Sequence, residues 1–232
     1  MRSLRAALDP AIARKVSSAT ELIHALEKTR REDCLPTAID ALDALLGGGL
    51  RRGKVVELVS RRAAGRFSIV MSTIAAATSI GEAAALIDVS DHFDPQIADA
   101  AGVDLRRLLW VRPKTMKQAV MAAEMITATG FQLVVLDAGV HPVRGRRAPD
   151  AAWVRLARAA EAHGAAMLVS TPYPFTGTAS EAVVRGEKAR VKWLGSGKSP
   201  RLLAGITANF ALEKHRHLRP GRAESLELRA ES

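Results

Sequence analysis

The chain has 232 residues, 48% of them hydrophobic and 25% charged, the balance of an ordinary globular protein and a length that suits one large α/β domain. Its one cysteine, Cys34, excludes an internal disulfide, and its six histidines lack Cys or carboxylate partners at ligand spacing, which argues against a metal cluster. The formal charge of +10 is either a solvated basic surface or the footprint of contact with a polyanion.

Residues 1–33 read as an N-terminal helical arm, with Ser18 and Thr20 as capping candidates and Leu22, Ile23 and Leu26 as an apolar stripe. The arm carries too little apolar surface to fold alone, so the stripe packs on its own domain, on another copy or on a different partner. Its first stretch, MRSLRAALDPAIARKV, is too short and polar for a signal peptide. No run of about 18 apolar residues predicts a membrane span, and the expected compartment is the cytoplasm. Residues 34–222 read as the core, and 223–232 as a last strand and tail. Ile39, Leu42, Leu45 and Leu46 form a short helical stripe that Gly47-Gly48-Gly49 ends. Val55–Val59 reads as a buried strand, followed by a helix over 67–80. Strands over 83–89, 107–112, 132–137 and 165–170 then alternate with helices from Asp94-Pro95, over 115–129 and over 149–163. This alternation predicts a mostly parallel sheet with helices on both faces. Beyond residue 175 the pattern changes to antiparallel strands over 189–194, 201–212 and 224–229.

The stretch VELVSRRAAGRFS has the strand, loop and helix order of a phosphate cradle, which requires Gly-x-x-x-x-Gly-Lys-Ser/Thr. Only Gly65 is retained. Ser60 stands at the first glycine, Arg66 at the lysine, Phe67 at the Mg²⁺-ligating hydroxyl, and Ser68 falls one residue late. The helix N-terminus keeps its N–H groups, so weak anion binding stays open. Gly195-Ser196-Gly197-Lys198-Ser199 imitates the end of such a motif but reads as a turn, since Lys192 occupies its first position and Pro200 follows. LVVLDAG resembles a Walker B strand, with Asp137 either ordering a metal-bound water or capping the strand's exit.

From about residue 35 onward, GKVVEL, AAGR, IAAAT and GEAAALIDVSDHFDPQIADAAGVDLRRLLWVRPKTMKQAV resemble the RecA recombinase core. The short length and altered cradle are similar to the RecA-like ImuA family, accessory proteins of bacterial DNA-damage mutagenesis (translesion synthesis). That resemblance implies an ImuB-type Y-family polymerase homologue as partner, with RecA, an error-prone DNA polymerase and single-stranded DNA as further contacts. It places Ser90 where RecA carries its catalytic glutamate, and Ser170-Thr171 where RecA senses the γ-phosphate. Serine is no useful base at neutral pH. The loop at 139–150, with Arg144, Arg146 and Arg147, matches RecA's first DNA loop. Residues 172–190, with Tyr173, Phe175, Arg185, Lys188 and Arg190, match its second, where aromatics and cations suit single strands. Lys214 and Arg216 match basic residues that reach a neighbouring subunit's ATP.

These readings lead to a non-catalytic adaptor with no expected cofactor. The alternatives are a weakly active RecA-superfamily ATPase, which alone would hold ATP and Mg²⁺ through Arg66, Asp137 and Asp91, and a cell-division inhibitor of the same superfamily.

Overall fold

β3 (Val55–Val59) is buried along its whole length, including Glu57. A five-residue run of this kind is stable only between two neighbours and under two layers. The computed structural model of the protein supplies both, and it describes residues 33–60, 65–139, 148–195 and 202–229. The arm residues Leu22, Ile23 and Leu26, the arginines Arg144, Arg146 and Arg147, residues 196–200 and the tail from 230 lie outside the described residues.

A small antiparallel ribbon of β1 (Cys34–Leu35) and β2 (Leu50–Arg51) flanks α1 (Asp40–Leu46), which Gly47 closes. After β3 come α2 (Arg66–Ser79), β4 (Ala84–Asp88), α3 (Pro95–Ala100) and β5 (Leu108–Val111). Next are α4 (Met116–Thr127), β6 (Leu133–Asp137), α5 (Asp150–His163) and β7 (Ala166–Thr171). The chain ends in β8 (Ala182–Leu194), β9 (Leu202–His215) and β10 (Ala223–Arg229). The main sheet has the order β10-β9-β8-β3-β7-β6-β4-β5, parallel from β8 to β5, with β9 and β10 antiparallel. It is the largely parallel α/β sheet with added antiparallel strands that the alternation predicts. Among the described residues no helix is long and apolar enough to cross a membrane.

Sequence sets the two layers. Leu42, Leu45 and Leu46 of α1 and Ile69, Val70 and Ile74 of α2 cover one face, joined by Ala98 of α3. Met116, Val120 and Ala123 of α4 and Trp153 and Leu156 of α5 cover the other. Local caps fix where helices begin: the Asp94 carboxylate accepts from Gln96 N at 2.8 Å ahead of Pro95, and Thr115 caps α4 through Gln118 N.

One expectation is corrected. β8 begins at Ala182, not at 189, and its first residues, Ala182–Arg185, pair parallel with Val56–Val59 of β3. The partner strand is more than a hundred residues away in sequence, and four residues bounded by Glu181 and Gly186 carry no periodicity of their own. Arg185, Lys188 and Arg190 therefore belong to a strand and not to a loop, and the loop after β7 closes by residue 181.

That loop is held from below by Glu57. Its Oε1 accepts from Phe175 N at 2.5 Å and Thr176 N at 3.3 Å, and its Oε2 from Thr176 Oγ1 at 2.6 Å. Glu57→Ala leaves these buried donors without an acceptor. We expect a loss of about 3 kcal/mol in stability, read as a lower urea midpoint; an unchanged midpoint contradicts the role given to Glu57.

Candidate functional site

At the carboxyl end of the parallel strands, the exits of β3, β4, β6 and β7 converge. Ser60 follows β3 and is buried, its N–H donating to Thr171 O at 3.0 Å. Gly65 opens α2 with φ 75°, a left-handed conformation that glycine adopts without strain. Arg66 is the first residue of the helix, yet it is only 5% exposed. Nη2 donates to Gly139 O in a very short hydrogen bond, Nη1 donates to Ser60 O at 3.3 Å, and Nη2 lies 3.9 Å from Asp137 Oδ1.

Asp137 ends β6 and is itself buried. Ser170 Oγ donates to its Oδ1 at 2.5 Å, and Gly139 N lies 3.3 Å from its Oδ2. Burial pushes the Asp137 carboxyl above its ordinary range, while Ser170 and Arg66 pull it back and the neighbouring Asp88 adds to the rise. Burial likewise lowers the Arg66 guanidinium, against the charge of Asp137. The arginine's firm partners are thus backbone carbonyls, which need no ionised aspartate to hold it.

Phe67 packs, half-buried, against the core of the α1/α2 face, while Ser68 is exposed. Ser90 lies against Gly139 so closely that a Cβ at 139, where φ is 72°, would fall 1.8 Å from Ser90 Oγ. Asp88 accepts from Ser90 N at 3.2 Å and Phe93 N at 2.9 Å, which fixes the turn after β4. Asp91 points outward to Arg112, 3.5 Å away.

The residues singled out for DNA contact separate in the structure. Phe175 is buried against Trp153, ring centres 6.3 Å apart, and cannot stack on a base. Tyr173 stands edge-on to Phe175 at 4.7 Å, partly buried in the same cluster. Arg185 pairs with Glu213 at 2.8 Å across β8 and β9. Arg190 is exposed further along β8, and Lys188 lies between them on the strand. Lys214 and Arg216 turn to their own chain. Lys214 Nζ donates to Ser180 O at 2.8 Å and Gly177 O at 3.0 Å, and Arg216 lies 3.4 Å from Thr178 O. Burial lowers the Lys214 ammonium.

Sequence reasoning missed Glu57 as a clamp and the tie from Arg66 to Gly139. A charged residue inside an otherwise apolar strand signals the first; the second joins residues 73 positions apart and left no local trace.

A doubly covered, largely parallel sheet with a buried acid at the end of β6 defines a RecA-like α/β domain. The chain belongs to the RecA family: the RecA N-terminal domain matches it over residues 4–144. It is 37% identical over 107 residues to Protein RecA of Saccharopolyspora erythraea, covering 45% of this chain and 31% of that protein. It is 40% identical over 105 residues to Protein RecA of Clavibacter michiganensis, covering 44% and 29%. The matched stretch therefore spans less than a third of either curated relative.

The raised Asp137 carboxyl carries a pH signature. The folded chain keeps this proton at pH values where the unfolded chain has lost it, so the stabilisation is present at low pH and lost as pH rises through the raised value. The stability of the wild type minus that of Asp137→Asn should fall as pH climbs out of the ordinary aspartate range. Urea unfolding across that range checks it; a flat difference contradicts it.

Proposed function

We propose that this RecA-family chain is a non-catalytic accessory protein of the ImuA type, acting in DNA-damage-induced mutagenesis by contact with an ImuB-type Y-family polymerase homologue. RecA, an error-prone DNA polymerase and single-stranded DNA are its further proposed contacts, and homo-oligomers belong to the same reading. The observation that carries it is the seat of Arg66. In a working cradle a cation at this position faces the terminal phosphates. Here the guanidinium is spent on the Ser60 and Gly139 carbonyls, inside the protein.

Mg·ATP does not fit these residues. The side chain at the metal-ligand position is a phenyl ring, Ser90 offers no general base, and a triphosphate would have to pull a buried cation off two carbonyl oxygens. Loss of preorganised electrostatic groups costs orders of magnitude in rate for each group. We therefore assign no hydrolytic step to this domain. The second reading, a weak ATPase, draws on one observation: Asp137 remains at the end of β6.

Calorimetry with Mg·ATP separates the two. The adaptor reading expects dissociation constants weaker than about 1 mM and no phosphate release. Micromolar binding with turnover that Asp137→Ala abolishes would establish the ATPase instead. Co-purification with the Y-family polymerase homologue, undiminished in Asp137→Ala, is the positive arm.

A further inference from the structure

β3 pairs with one side of β8 only from Ala182 to Arg185, while β9 accompanies its other side to Leu194. Among the described residues no strand continues β3 beside Ala189–Leu194, so this stretch presents an open backbone edge about 20 Å long. The edge is regular. Of the breaks in register, one lies at its base, where Glu187 and Lys188 oppose Asn209. The other places its extra residue, Ala204, on β9 and leaves β8 itself unbroken. An unpaired, regular edge is a template for a further strand.

The two faces of the edge differ in chemistry. Ala189, Val191 and Trp193 stand level with Ala208, Ile206 and Leu203 of β9. Ala208 is buried in the core beneath α1 and α2, so this face continues the core surface beyond its covering helices. There Val191, Trp193 and Leu203 are each about half exposed. On the opposite face Arg190 and Lys192 are exposed, level with Thr207 and Gly205. From Lys188 to Leu212 the sequence holds no Asp or Glu, and Glu227, in the row of Arg190, is two strands away. A strand added here sets alternate side chains beside Val191 and Trp193 and the others beside Arg190 and Lys192. Apolar residues complete the first row and carboxylates the second. A second copy of this edge would set cations beside cations, which disfavours self-pairing. The same cations deter indiscriminate strand addition and select an acidic strand.

We infer that the outer edge of β8, Ala189–Leu194, is a docking site for an extended segment of another protein in which apolar and acidic residues alternate. The inference rests on the adaptor reading only in expecting a protein partner. Its test uses a peptide, so it can fail while co-purification with the polymerase homologue succeeds, and the reverse. The full chain is titrated into a labelled ten-residue peptide alternating valine and glutamate, and into one of the same composition with valines and glutamates in separate blocks. Anisotropy and tryptophan emission are followed; Trp153 is buried and Trp110 half-buried, so the exposed Trp193 reports on the edge. The alternating peptide should bind at least tenfold more tightly than the block peptide and shift the emission. N-methylation of every second amide should abolish binding in one register and spare it in the other, because only one set of amides faces β8. Trp193→Ala should weaken binding about tenfold. Arg190→Glu with Lys192→Glu should transfer the preference to a peptide alternating valine and lysine. Equal binding of the block peptide, tolerance of N-methylation in both registers, or an unchanged preference in the charge-reversed variant overturns the inference. So does an unbound peptide while a second copy of the chain, or a DNA duplex, occupies this edge.

Discussion

The buried guanidinium of Arg66 joins three segments that meet at the carboxyl end of the sheet: Ser60 after β3, the first turn of α2, and Gly139 after β6. A cation taken out of water is tolerated only where its donors are satisfied. Two backbone carbonyls and a nearby aspartate satisfy it here. The close approach of Gly139 to Ser90 follows from the same arrangement. With no Cβ at 139, the chain after β6 can lie against the turn after β4 and present its carbonyl to the arginine.

The loop after β7 shows the same inward habit. Glu57 holds its amides from within β3, and Lys214 and Arg216 hold its carbonyls from the end of β9. Phe175 is then drawn into the α4/α5 core beside Trp153. Arg66, Lys214 and Arg216 are thus all engaged with the chain's own backbone. On β8 and β9, by contrast, apolar and basic side chains such as Trp193, Leu202 and Arg190 stand exposed together.

Much of the scaffold was legible in the residues. Apolar runs such as LVVLD and the Asp94-Pro95 helix start signal themselves locally, and each lies within a residue or two of its expected place. The departures at Arg66 and Phe67 were equally readable, because the phosphate cradle is a contiguous pattern, whereas Ser90 stood out only through the resemblance to RecA. The parallel pairing of Ala182–Arg185 with β3 was hidden, since a strand of four residues acquires its partner from distant sequence. So was the direction of every long side chain. An arginine in a cradle reads as a phosphate ligand until its partners are seen, and a lysine at a matched position reads as reaching outward until it is found on its own loop.

The central claim is that the Arg66 side chain fills the place of a nucleotide's terminal phosphates. A high-resolution crystal structure of the chain grown in excess Mg·ATP tests this most directly. The guanidinium should still lie within hydrogen-bonding distance of the Ser60 and Gly139 carbonyls, with no triphosphate beside Gly65. An ordered Mg·ATP there, with Arg66 swung out to meet its phosphates, would contradict the account.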